Sequence, residues 1–261
     1  MNDFQLAPPH ARARVRWEIA IVLLLSLGAS ALWAVLQLAD RLTREEPLSQ
    51  QTAAINQSRS SREFFDFAYQ FLGFALEFAP VLLVVWLLWS ARKPRLGALG
   101  IDGTRPVKDT VQGLALVLVI GIPGLLLYVV GRDLGITIPV LPAPLDTYWW
   151  TVPMLIFSAL RAGVVEEVIA VGYLYARLTQ LGFGRWGFIL FSAVLRGSYH
   201  LYQGVGAFFG NLLMGALFGW LYSRNRRLLP LVIAHVLIDC AVFIGYPWAA
   251  GTFPEFFGLP G

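Results

Sequence analysis

The sequence is short of the residues that a water-soluble domain of its length relies on. Only 14% of its 261 residues are charged, where a soluble domain carries roughly a quarter. Lysine is nearly absent, with Lys93 and Lys108 set against eighteen arginines. Together with abundant Ala and Leu, that bias suggests a high-GC bacterial genome. The single cysteine, Cys240, excludes an intrachain disulfide and any metal site built from several thiolates, which leaves apolar packing as its expected role. Histidine occurs three times, few enough to weigh each one. HExxH, a GxSxG elbow and a reactive-cysteine pattern are also missing, which removes the common soluble protease signatures. No internal repeat or low-complexity tract occurs.

Hydrocarbon fills the gap. Apolar residues make up 57% of the chain, the mean hydropathy is +0.64, and several runs reach the roughly 20 residues that cross a bilayer core. Seven spans are expected, near 17–39, 64–91, 110–131, 149–176, 186–204, 206–222 and 228–248. The fold class is therefore all-α, a polytopic transmembrane helix bundle in the cell membrane. A tail at 1–16 precedes a three-span part at 17–148, whose polar loop at 40–63 is expected to be mobile. A four-span core at 149–248 and a C-terminal tail at 249–261 follow.

The pI near 9.4 would admit nucleic acid as a partner. The basic residues flank apolar runs, however, so the lipid bilayer is the expected partner and nucleic acid is not. With the N-terminus cytoplasmic, the inner segments hold thirteen Lys and Arg and the outer ones five, an excess that orients the chain N-in and C-out. Ala29-Ser30-Ala31 resembles a signal-peptidase site, but the apolar run from Ile19 to Ala39 is long for a signal peptide. An uncleaved first span is expected.

Ionisable groups inside spans are costly, so they tend to be paired and functional. Asp66, Gln70 and Glu77 form one polar stripe on the second span, expected to face the bundle with Arg161 as its partner. The fourth span has Arg161, Glu166 and Glu167, and the fifth has Arg196 and His200. The seventh has His235 and Asp239, one turn apart on one face. Counted along their helices, Glu166, His235 and Asp239 overlap in depth, with His200 somewhat deeper, so one cavity can gather all four. Two imidazoles and a carboxylate can hold a divalent ion, zinc being the expected one, with a position open for water. Glu166, His200 and His235 are the candidate ligands. Without a metal, a glutamate can activate water directly while the imidazoles polarise a carbonyl. Gly206, Gly210, Gly215 and Gly219 on the sixth span are a packing device.

These residues resemble the motifs of the CPBP family of intramembrane proteases, also called the Abi or CAAX-protease family, which includes prenyl endopeptidases. The first motif, EExxxR followed by Gly, is similar to Glu166-Glu167-Val168-Ile169-Ala170-Val171-Gly172. The second, FxxxH, is similar to Arg196-Gly197-Ser198-Tyr199-His200. The third, HxxxN or HxxxD, is similar to His235-Val236-Leu237-Ile238-Asp239. The likeness covers about residues 155–245. It implies a glutamate-dependent peptidase, usually labelled a metalloprotease, with Glu166, Glu167, His200, His235 and Asp239 as its catalytic residues and a membrane-associated protein or peptide as its substrate.

The chain departs from that pattern twice: Val171 stands in the arginine position and Arg196 in the phenylalanine position. Arg196 is accordingly expected to support the site by pairing with Glu167 from the neighbouring helix. An ionised Asp239 only accepts hydrogen bonds, which suits a metal ligand or a group that orients an imidazole. Two other readings compete. One is a non-catalytic membrane scaffold or peptide-binding immunity factor of the same family, favoured by Val171. The other is a carrier that uses Glu77, Glu166 and the histidines as a proton relay. Oligomeric state is not legible in the sequence.

Overall fold

The computed structural model describes residues 6–48, 50–88, 96–141, 143 and 148–252. Arg92, Lys93, Arg95, the end of the expected second span and most of the 249–261 tail lie outside the described residues. Among the described residues the elements are helical except for one two-residue strand pair, so the all-α expectation holds.

The expected first span divides into α1 (Pro9–Leu24) and α2 (Leu27–Leu42), bent by 55°. Ser26 lies between them in a non-helical conformation, its hydroxyl turned back onto the Val22 carbonyl. Glycine is required at position 28, because a Cβ there would lie 2.7 Å from the Leu23 carbonyl oxygen. The second span is broken as well, into α3 (Glu63–Leu76) and α4 (Ala79–Leu87). Pro80 has no N–H to return to the Leu76 carbonyl. The two pieces still run on together as a candidate membrane crossing, Glu63–Leu87.

The loop between α2 and α3, expected to be mobile, is tied down by contacts. Gln51 is buried and donates to the Arg41 and Glu46 carbonyls. Next to it, β1 (Ala53–Ala54) pairs in parallel with β2 (Val140–Leu141).

After α5 (Pro106–Asp133), a long apolar helix, comes the continuous rod that carries the candidate glutamates: α6 (Thr151–Glu166), a π-helical turn (Glu167–Tyr173) and α7 (Leu174–Gln180). The remaining helices are α8 (Arg185–Tyr199), α9 (Val205–Asn225), α10 (Leu229–Cys240) and α11 (Tyr246–Thr252), with a second π turn at Ala241–Gly245. By length and composition four segments can cross a bilayer: Glu63–Leu87, Pro106–Asp133, Val205–Asn225 and Leu229–Ala249, with the bent α1–α2 pair as a fifth if taken as one span.

One expected boundary is corrected. The fifth span was expected to reach residue 204, but α8 stops at Tyr199 after fifteen residues, about 22 Å of helix against a hydrocarbon core of about 30 Å. His200 caps that end instead of lying deep within a helix.

The α9 glycines divide between two neighbours. Gly215 and Gly219 lie against α8, where a Cβ at Gly215 would come within 2.9 Å of the Ala193 Cα. Gly206 and Gly210 meet Thr137 and Leu127. Nine residues of α-helix turn the chain by about half a revolution, which is why positions 206 and 215 face opposite ways.

Candidate active site

The π turn begins at Glu167, so the two glutamates straddle a change of helical pitch. π turns inside α-helices are rare and frequently occur at functional sites. Opposite the turn, α8 presents Ser192, Arg196, Tyr199 and His200, spacings of four and three that keep them on one face. The Ser192 hydroxyl donates 2.7 Å to the Ala170 carbonyl within the π turn, which fixes α8 against it.

Arg196 and Glu167 are both fully buried. Arg196 Nη2 donates to Glu167 Oε1 at 2.5 Å, and Nη1 reaches Glu166 Oε2 at 3.4 Å. The expected pairing is present, with one difference: the guanidinium fork spans the two adjacent glutamates and does not clasp both oxygens of Glu167. Glu167 Oε1 also lies 2.6 Å from His235 Nδ1. A carboxylate bound to a guanidinium is an acceptor, so this contact assigns a hydrogen to Nδ1 and turns Nε2 the other way.

That Nε2 stands 3.9 Å from Glu166 Oε2 and 3.6 Å from Asp239 Oδ2. His200 Nε2 is also 3.9 Å from Glu166 Oε2, and both ring nitrogens of His200 are buried with no hydrogen-bond partner among the described residues. One oxygen of Glu166 therefore faces both imidazoles. Tyr199, which the sequence reading missed, makes the shortest hydrogen bond to it, donating its O–H to Glu166 Oε2 at 2.6 Å. The signal was available: Tyr199 lies three residues after Arg196 and just before His200, on the face already singled out.

The zinc expectation meets a donor set that does not fit it. A tetrahedral zinc with bonds of roughly 2.0–2.2 Å keeps its donors about 3.4 Å apart. Here both nitrogens are 3.9 Å from the carboxylate oxygen. Among the described residues no three His, Cys, Asp or Glu side chains are grouped to hold an ion. Glu166 Oε2 already accepts the Tyr199 O–H and faces the Arg196 guanidinium, so a dication bound through that oxygen would share it with a cation. No step below is routed through a metal.

The second-span stripe is only partly as expected. Asp66 and Gln70 are buried, with Asp66 accepting from the Arg59 backbone N–H and from Gln70 Nε2. Glu77 does pair with Arg161, yet its side chain is 47% exposed. It lies at the break between α3 and α4, where the helical angles that put it on the stripe no longer apply. Arg161 also donates to Ser158, which in turn donates to Asn56.

Residues 148–241 match the family model described as type II CAAX prenyl endopeptidase Rce1-like, a segment that holds Glu166, Glu167, Arg196, His200, His235 and Asp239. Comparisons with curated proteins and with solved structures gave no match.

Proposed function

Because residues 148–241 match the Rce1-like CAAX-protease family model, we propose that this membrane protein is an endopeptidase that hydrolyses a peptide bond of a membrane-associated protein or peptide. The observation that carries the reading is Glu166 Oε2 standing 3.9 Å from Nε2 of both His200 and His235, a separation that one bridging water spans. Glu166 takes a proton from that water as the water oxygen attacks the scissile carbonyl carbon. The carbonyl electrons move onto oxygen, where the N–H of His200, in the tautomer with its hydrogen on Nε2, stabilises the charge. Glu166 then gives its proton to the departing nitrogen as the C–N bond breaks, leaving a new carboxyl group and a new amine. Glu167 holds the His235 ring through Nδ1 while Asp239 faces Nε2 at 3.6 Å, and Arg196 compensates the charge of the paired glutamates.

The finer topology belongs to the same proposal: seven crossings of the cell membrane, with the N-terminus cytoplasmic. The distribution of Lys and Arg supports it, as does the unbroken run of thirty residues from Thr151 to Gln180, about 45 Å of helix at the α-helical rise. A non-catalytic scaffold is the second reading. One observation favours it: Val171, in place of the motif arginine, is fully buried.

Cleavage of a reporter membrane peptide by the purified protein, beside Glu166→Gln, decides between them. The wild type should cut and the variant should lose at least about a hundredfold in rate, as expected when a general base is removed. A variant that cuts as fast as the wild type removes Glu166 from the mechanism, and an inert wild type favours the scaffold. Metal analysis of the same preparations, with one equivalent of zinc lost on His200→Ala, would restore the metal route.

A further inference from the structure

We propose that Tyr199 is the positioning residue of Glu166, holding the carboxylate at the orientation in which one oxygen faces both imidazoles. The inference rests on the peptidase reading for its catalytic consequence and on geometry alone for the contact.

Glu166 closes α6 at the threshold of the π turn. Its surroundings are uneven in distance. Both imidazole nitrogens are 3.9 Å away and the Arg196 guanidinium is 3.4 Å away, all beyond a strong hydrogen bond. The Tyr199 hydroxyl at 2.6 Å is therefore the group that fixes where Oε2 lies. A hydroxyl donating to a carboxylate makes a short bond, roughly twice as strong as one between neutral groups.

Tyr199 is itself held in place. Its side chain is 5% exposed, it ends the rigid α8, and its ring lies 4.8 Å from that of His200. Asp239 cannot take over this task, because an ionised carboxylate has no hydrogen to donate. His235 is committed through Nδ1 to Glu167. One aromatic residue thus sets the orientation of Glu166 and flanks the imidazole that shares its oxygen.

Two measurements on the full-length protein in detergent or liposomes test this. In peptide cleavage, Tyr199→Phe should lower kcat by about tenfold or more with KM within a factor of two, since the ring that shapes the site remains. Tyr222→Phe, which removes a buried hydroxyl without a hydrogen-bond partner among the described residues, should leave both parameters unchanged. In thermal unfolding, Tyr199→Phe should lower the midpoint in the wild type and have no effect in a Glu166→Ala background, where its acceptor is gone.

Equal shifts in the two backgrounds would overturn the contact. An unchanged kcat, or a raised KM with kcat intact, would overturn the positioning role. Should Tyr199→Phe fail to fold, adding Glu166→Gln should recover folded protein by removing the under-compensated charge, and no recovery sinks the proposal. An inert wild type counts against the peptidase reading, while the unfolding comparison still decides whether the hydroxyl holds Glu166.

Discussion

Arg196 and Glu167 have been taken wholly out of water, and that makes them unforgiving of single changes. Removing one partner of a buried ion pair costs on the order of 3–5 kcal/mol, because the other charge stays behind uncompensated, whereas replacing both with apolar groups is often neutral. Arg196→Phe is therefore expected to lower the unfolding midpoint sharply and abolish cleavage. Adding Val171→Arg should restore part of both, since residue 171 is in the same buried π turn as Glu167 and can return a guanidinium to it. Thermal unfolding and reporter cleavage read the outcome, and equal damage in the double variant would mean that Arg196 has a different task. Arg196 was legible in the sequence because an ionisable residue in an apolar run stands out. Tyr199 was not, because a tyrosine in a membrane helix reads as an ordinary amphipathic side chain, and only the Glu166 contact gives it meaning. Glu77 was legible as a partner of Arg161 but misplaced in burial, since its exposure follows from a helix break.

At the scale of elements, the site depends on how closely α8 lies against its neighbours. Gly215 lets α9 approach the α8 backbone, where an added Cβ would be 2.9 Å from the Ala193 Cα and 3.2 Å from the Arg196 Cδ. Gly215→Val must push α8 away. It is expected to cost roughly 1–3 kcal/mol of stability, as overpacking does, and to reduce cleavage by displacing Arg196, whereas Gly121→Val, with open space around it among the described residues, should do neither. A second device lies outside the bundle, where Arg227 binds Asp102 through Nη1 at 2.8 Å and also pairs with Asp109, joining the start of α10 to the approach of α5. The Thr104 hydroxyl, followed by Arg227, holds the Asp102 carboxyl down to about 2. A depressed carboxyl stabilises the fold above its unfolded value near 4, and that contribution is lost as pH falls through 2. The unfolding midpoint of the wild type should drop between pH 4 and pH 2 more steeply than that of Asp102→Asn, and parallel profiles would contradict the assignment. The helix breaks at Ser26 and Glu77 and both π turns lay beyond the sequence reading, because hydropathy registers where apolar residues run and is silent about the backbone pitch beneath them.

Across the whole molecule, four or five segments qualify as spans on length and composition, against the seven crossings proposed above. The difference rests on the rod from Thr151 to Gln180, where Arg161, Glu166, Glu167 and Arg177 lower the apolar character, and on α8, which at fifteen residues is short for a crossing. In a membrane such groups are tolerated when they face one another within the bundle, and the pairs Arg196–Glu167, Arg177–Glu18 and Arg161–Glu77 are such partners. Because the chain has a single cysteine, it can be removed as Cys240→Ala and replaced by a reporter thiol at an exposed loop position, Ser58 or Gly184. Three proposed crossings separate the two positions: Glu63–Leu87, Pro106–Asp133 and Thr151–Gln180. A membrane-impermeant maleimide added to intact cells should therefore label Ser58→Cys, on the arginine-poor outer side, and leave Gly184→Cys unlabelled until the cells are permeabilised. The reverse pattern would place the N-terminus outside. Equal labelling of both would mean that the Thr151–Gln180 rod does not cross.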